Sequence, residues 1–231
     1  MKEKNNNIWK NVDYNNFAKT FSNSRKNLKW EEIEYFLSFI ESINNILKDW
    51  KKVLDIGAWN WRLLSHLKET KVVFSEYLWI DLSEWLLEEA NFLHPEARFL
   101  HLNMQDLDKI KENFNIIFFI ASFHHLTEIK DRLDVLKKTY DLLEKWWIVV
   151  MTNWSLNSEI NTKKYNSSVI KNTKNRFWSI DYNIKIWEFD RYYHCFDLKE
   201  LEYLFLESWF KIIENREFEN KKNFVSILRK N

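Results

Sequence analysis

Asp55, Gly57 and Asp81 are the residues whose types and spacing first suggest chemistry. Asp55 and Gly57 lie in Val53-Leu54-Asp55-Ile56-Gly57-Ala58-Trp59-Asn60-Trp61-Arg62-Leu63-Leu64, which reads as a short buried strand, a sharp loop and the start of a helix. In open α/β folds these three parts cradle a nucleotide, because backbone N–H groups at the helix start attract its anionic portions. Such loops need glycine, since the backbone approaches the ligand closely and some residues take positive φ. Asp81 ends a second strand about 20 residues further on, where a carboxylate accepts from both ribose hydroxyls. A lone acid at a strand end is ordinarily just solvated; the loop upstream favours the ligand role.

The elements that would position these residues follow from periodicity. Trp30 to Leu47 carries Ile33, Phe36, Leu37, Ile40, Ile43 and Leu47 on one helical face. Strand 53–56 and a helix from Arg62 to Lys68 come next, then strand Glu76 to Asp81 and a helix capped by Ser83 and running to Phe92. Phe99 to Leu102 is a third strand. Phe114 to Ser122 is a fourth, continuously apolar as a strand buried on both faces should be. A helix from Ile129 to Glu144, strand 148–152, a polar insertion at 154–196 and a helix from Leu198 to Ser208 follow. Strands Lys211 to Glu217 and Asn223 to Leu228 flank the turn Asn220-Lys221-Lys222 and form a hairpin. Alternating β and α units predict an α/β fold: one domain over 1–231 with a mostly parallel seven-stranded sheet, an antiparallel C-terminal hairpin and helices on both faces.

Composition narrows the class. The 231 residues can bury a full core, and a net charge of +1 does not announce a nucleic-acid partner. A single cysteine, Cys195, excludes a disulfide framework and suits a reducing cytoplasm. The longest apolar run, Ile116 to Phe123, is too short to span a bilayer, so no membrane role is expected. The six histidines and the cysteine show no metal-ligand spacing. Charge is local: residues 1–29 hold seven Lys/Arg against two acids, and 160–180 hold Lys163, Lys164, Lys171, Lys174 and Arg176 with no acid. Such runs are more often solvated loops than RNA-binding faces.

Asp55-x-Gly57-x-Trp59-x-Trp61 resembles the acidic-x-Gly-x-Gly-x-Gly motif of class I S-adenosylmethionine (SAM) methyltransferases, with Trp written twice for Gly. The resemblance implies a Rossmann-like class I methyltransferase fold and SAM as cofactor. It implies a cofactor set of Asp55, Gly57, Trp59, Trp61, Asp81 and Leu82, with Asn103 and Met104 beside the adenine and Ile120 and Ala121 at the methionine end. For Asn103-Met104 an ordinary strand-end turn is the alternative. Arg62 reads as a surface residue.

The chain has one Gly and 13 Trp, where roughly 16 Gly would be expected at about 7%. Trp209, between a helix and the apolar Phe210-Lys211-Ile212-Ile213, stands at a C′ position that usually takes glycine, and Trp146-Trp147 stand at another helix stop. The expectation is that most of these tryptophans are glycines in the natural protein, from a genome that reads UGA as glycine. The alternative is a Trp-rich chain with aromatic core positions.

Further along, the chain resembles a narrower family, the tRNA wobble-uridine carboxymethyl methyltransferases, which esterify 5-carboxymethyluridine with SAM. The resemblance rests on Tyr14 to Phe21, Ser24-Arg25 and Trp30, on Ser122-Phe123-His124-His125-Leu126, on Arg191-Tyr192-Tyr193-His194-Cys195-Phe196 and on Asn223-Phe224. It covers nearly the full length, and takes Trp30 and Trp154 as genuine. Asn103 departs from an acid in that family. The implied catalytic set is Arg25, His124, Arg191 and His194: two guanidinium groups to clamp a carboxylate or phosphate, and two imidazoles to donate. Tyr14, Tyr192 and Phe196 would stack on an extruded base, and Lys171 and Lys174 would meet tRNA, with the basic arm 1–29 and the insertion 154–196 framing that face. Core packing is the alternative for the tyrosines, and a helix-start role for His125. The partner implied is tRNA; whether a small activator subunit is needed, as in eukaryotic relatives, stays open. Two other readings stand: a small-molecule O- or C-methyltransferase of the same fold, and a non-catalytic scaffold if Trp59 and Trp61 are genuine and fill the pocket.

Overall fold

The structure is a computed structural model, and it describes residues 30–44, 51–57, 62–69, 74–170, 176–186 and 189–231. Seven strands form one sheet: β1 (Lys51–Ile56), β2 (Phe74–Asp81), β3 (Arg98–His101), β4 (Phe114–Ile120), β5 (Leu143–Trp154), β8 (Lys211–Glu217) and β9 (Asn223–Arg229), in the order β3-β2-β1-β4-β5-β9-β8. The first five are parallel, and β9 runs antiparallel to both β5 and β8. Helices α1 (Glu31–Asn44), α2 (Arg62–Glu69), α3 (Glu84–Leu93), α4 (Ile129–Leu142) and α6 (Leu198–Glu207) surround it. This is the expected mostly parallel sheet with its antiparallel C-terminal end.

Burial explains the elements. Ile33, Phe36, Leu37 and Ile40 put the apolar stripe of α1 into the core at helical spacing. Ile116, Ile117, Phe118 and Phe119 are fully buried because β4 lies between β1 and β5 and is covered on both faces. Ser83 caps α3, its Oγ accepting the Leu86 N–H at 3.3 Å.

Three expectations need correction. Strand β4 stops at Ile120, because Ala121 turns the chain at φ 52 and a 3₁₀ turn covers Phe123–His125. Helix α4 ends at Leu142 rather than Glu144, and β5 is twelve residues long. Leu143 already pairs with Phe114, and Trp146 then takes φ 72 where the register with β4 shifts. The insertion at 154–196 is not simply polar: it holds α5 (Glu159–Tyr165) and an antiparallel hairpin, β6 (Ile180–Ile186) with β7 (Phe189–Cys195). The hairpin has its own small core of Leu156, Tyr182, Ile184, Tyr193 and Cys195. Among the described residues, no helix is long and apolar enough to cross a membrane.

Candidate active site

Because β1 to β5 are parallel, their C-terminal ends share one edge of the sheet, the edge where open α/β folds bind ligands. Gly57 follows β1 with φ 69, and its N–H donates to the Ile80 carbonyl at 2.9 Å. A Cβ there would stand 2.8 Å from the Ser122 Cβ, with Met104 Cε at 3.5 Å, so this corner admits only glycine. Ser122 Oγ donates to the Ile56 carbonyl at 2.6 Å, tying the end of β4 to the end of β1. Ala121 is held in its left-handed turn by the Thr152 carbonyl at 3.1 Å and Thr152 Oγ1 at 2.9 Å.

Two carboxyls stand on this edge. Asp55 is buried; the Tyr77 hydroxyl donates to its Oδ2 at 2.5 Å, and its Oδ1 has no partner among the described residues. Burial pushes its carboxyl up to about 7, the nearby Asp81 charge adding to the rise and the Tyr77 bond opposing it. Asp81, also buried, accepts the Ser83 N–H on Oδ1 at 2.8 Å. Leu82 is exposed beside it, and the Leu102 N–H donates to the Asp81 carbonyl. Asn103 caps the 3₁₀ turn Met104–Lys109, its Oδ1 accepting the Gln105 N–H at 3.0 Å. Asp55, Gly57, Asp81, Leu82, Asn103, Met104, Ile120 and Ala121 thus gather at the ends of four adjacent strands.

A second group forms where the β6–β7 hairpin meets the end of β4. Arg191, 2% exposed, donates from Nη2 to His125 Nε2 at 2.9 Å. The Tyr192 carbonyl accepts from His125 Nδ1 at 2.8 Å, so the proton sits on Nδ1 and the ring is neutral. Burial, then the Arg191 charge, push that imidazole well below its ordinary value. His124 is buried and takes the other tautomer: the Trp154 N–H donates to Nδ1 at 3.2 Å, which leaves the proton on Nε2. That Nε2–H finds no acceptor among the described residues. Burial, followed by the charges of Arg191 and His194, pushes His124 down to about 3. Trp154 and Tyr193 stack at 4.8 Å and 11°; Trp154 packs against the His124 ring, and Tyr193 against both histidines.

His194 sits elsewhere than expected. Its Nδ1 meets Asp181 Oδ1 at 2.6 Å and its Nε2 meets Glu200 Oε2 at 2.8 Å, so both nitrogens donate to carboxylates inside the protein. Arg132 donates to Glu200 Oε1 at 2.9 Å and to the Leu126 and Thr127 carbonyls; Tyr192 Oη donates to Asp181 at 2.7 Å, and Ser179 donates to Glu200. Burial opposes ionisation of Asp181 and Glu200, but the hydrogen bonds from His194 and the rest of the network outweigh it and hold both carboxyls below their ordinary values. Two cations and two anions therefore lock the hairpin to α6 and α4. Phe196 is fully buried, stacked on Phe123 at 5.7 Å and covered by the Arg132 guanidinium, so it packs the core and offers no face to a base. The Tyr192 hydroxyl is likewise committed to the network.

Tyr14, Arg25, Trp59, Trp61, Lys171 and Lys174 lie outside the described residues. His125, Tyr193 and Trp154 were not in the expected set. His125 follows His124 directly and Tyr193 sits inside the Arg191 box, so adjacency was the available signal; the β6–β7 pairing that joins them was not legible.

A family model described as a methyltransferase domain matches residues 53–145, from β1 to just beyond α4. No curated protein matches the chain. A SAM-dependent methyltransferase from Clostridium acetobutylicum is similar at 13% identity and TM-score 0.66, covering 95% of this chain and 99% of that one. A SAM-dependent methyltransferase from Methanosarcina mazei is similar at 19% and 0.63, covering 82% and 96%. The 1,6-didemethyltoxoflavin-N1-methyltransferase of Burkholderia thailandensis, solved with bound 1,6-didemethyltoxoflavin and S-adenosylhomocysteine, is similar at 16% and 0.62, covering 93% and 85%. The fold is thus that of the class I SAM-dependent methyltransferases, and SAM is the cofactor this class uses.

Proposed function

We propose that this chain is a SAM-dependent methyltransferase that esterifies an anionic acceptor, the carboxylate of a carboxymethyl-type wobble uridine in tRNA. The observation that supports the reading is Arg191, a buried guanidinium bonded to His125 in the 3₁₀ turn that follows β4, the strand that pairs with β1. The strand-end residues suit SAM: Asp55 has a buried oxygen with no partner among the described residues, and Gly57 leaves a corner that a single Cβ would fill. Asp81 would take the ribose hydroxyls, with Leu82, Asn103 and Met104 beside the adenine and Ile120 and Ala121 at the methionine end. SAM supplies an electrophilic methyl group. An acceptor carboxylate is already ionised at pH 7, so the protein needs no general base; it must orient the anion and balance its charge. His124, neutral with its proton on Nε2, has no basic role and serves as a donor. Lys171, Lys174 and the arm carrying Tyr14 and Arg25 would meet the tRNA.

The likeness to a toxoflavin methyltransferase favours a second reading, a small-molecule methyltransferase of the same fold. The test is tritiated methyl incorporation into tRNA from cells blocked at the carboxylate stage, followed by mild alkali. An ester releases the label. Alkali-stable label on tRNA contradicts the ester, and methylation of a small acid or quinone and of no tRNA hands the case to the second reading.

We further infer that the tryptophans at left-handed and loop positions are glycines in the natural protein, Trp59 and Trp61 among them. Trp146 at φ 72 and Trp209 at φ 65 support this. So does Trp79, fully buried with an indole N–H that has no partner among the described residues.

A further inference from the structure

We propose that His125 is a positioning residue, which aims the Arg191 guanidinium at the acceptor's anionic group through one fixed tautomer. The proposal rests on the reading that Arg191 meets a carboxylate of the methyl acceptor. Arg191 comes from β7, in the small hairpin sheet, while the cofactor edge belongs to the large one. His125 closes that gap. It stands five residues beyond the end of β4, in the 3₁₀ turn Phe123–His125, and grips the hairpin twice: its Nδ1–H donates to the Tyr192 carbonyl at 2.8 Å, and its Nε2 accepts from Arg191 at 2.9 Å. The first bond decides the second. A carbonyl can only accept, so the proton is committed to Nδ1 and Nε2 is left as an acceptor for the neighbouring residue's side chain. A neutral imidazole orients a guanidinium without cancelling its charge, whereas a carboxylate in that place would neutralise it.

The grip is stiffened from behind. The Tyr192 hydroxyl is tied to Asp181, which also accepts from His194, which reaches Glu200 on α6. The Tyr192 carbonyl that selects the His125 tautomer is therefore anchored at both ends of its own residue. Tyr193, next in sequence, packs against the rings of His124 and His125 at 5.2 and 4.6 Å and under the Arg191 guanidinium at 5.6 Å. One imidazole thus converts the docking of a hairpin into the direction of a charge. Protonation of His125 would turn Nε2 into a donor facing a cation, which burial and the Arg191 charge oppose.

The test is steady-state kinetics of the full-length chain with glycine at 59 and 61, using tRNA that carries 5-carboxymethyluridine as acceptor. His125→Leu should raise the acceptor KM about tenfold, the value of a charge-assisted hydrogen bond, with the SAM dissociation constant unchanged. His125→Gln, whose side-chain oxygen reaches the Nε2 position, should recover most of that loss. His125→Leu added to Arg191→Ala should cost nothing beyond Arg191→Ala, because the two act as one unit. If His125→Leu does not fold, His125→Asn, which keeps a donor for the Tyr192 carbonyl and withdraws the acceptor, carries the same expectation. A normal KM in His125→Leu with a raised KM in Arg191→Ala overturns this proposal alone, as do fully additive losses. A normal KM in Arg191→Ala overturns the reading beneath it as well.

Discussion

Trp209 shows what single residues contribute. The Phe210 N–H donates to the Phe205 carbonyl at 3.1 Å and the Trp209 N–H to the Leu206 carbonyl at 3.0 Å, the paired bonds of a glycine-type helix end. Trp209 is its left-handed residue, at φ 65. A side chain in that conformation costs about 1–2 kcal/mol. Trp154, in contrast, stacks its ring on Tyr193 and packs it against His124, as a genuine aromatic position would. Trp209 was legible in sequence from the helix before it, but Trp146 and Trp147, expected at a helix stop, lie instead inside β5, and the positive φ falls on Trp146 where the register with β4 shifts. Trp79 is buried with an indole N–H that has no partner among the described residues. In the Trp-bearing chain, Trp146→Gly and Trp209→Gly should each raise the urea midpoint, by about 1 kcal/mol of stability. Peptides from the native host should carry glycine at 59, 61, 79, 146, 147 and 209. Lower midpoints together with tryptophan in the native peptides would remove the recoding reading. Asp55 offers a second residue-scale check. Its folded-state value, about 7, stands above the ordinary 3.8, so the protonated carboxyl favours the fold. Its contribution is full below pH 3.8, is lost as pH rises toward 7, and stays lost above that. Asp55→Asn should flatten that decline in thermal unfolding without ligand; an unchanged pH profile would contradict the shift.

At the scale of elements, the β6–β7 hairpin carries Arg191, and the expectation of a plain polar insertion missed it. Ile180-Asp181-Tyr182-Asn183-Ile184-Lys185-Ile186 alternates apolar and polar, so β6 was open to reading as a half-buried strand, with Tyr182 and Ile184 on its buried face. What spacing could not show is how the hairpin's charges hold it in place. His194 and Arg132 balance Asp181 and Glu200, and none of these bonds can be read from spacing, since Arg132 and Glu200 belong to other elements. Glu200→Gln removes one anion from a buried network that then keeps two cations, and breaking such a group costs about 3–5 kcal/mol. The expected result is a lower urea midpoint. Acceptor KM should also rise more than the SAM dissociation constant, because the hairpin carries Arg191 while the residues proposed to hold SAM sit on the large sheet. A midpoint within 1 kcal/mol of the parent chain would show that the network is not holding the hairpin.

Across the whole molecule, the sheet and its order were legible because five parallel strands alternate with amphipathic helices and β4 is apolar throughout. The strand-end residues were legible for the same reason: a parallel sheet delivers Asp55, Asp81 and Ile120 to one edge. What spacing could not supply was the placing of Arg191, whose strand β7 meets the turn after β4 through His125. The proposed reaction needs both halves, the strand-end edge for SAM and Arg191 for the acceptor's anion. The measurement that tests it most directly is single-turnover methyl transfer by the glycine-bearing chain to two preparations of one tRNA, identical except at the wobble uridine. The tRNA with a carboxymethyl group there should be labelled and the tRNA with plain uridine should not; equal labelling of both, or of neither, would contradict the account.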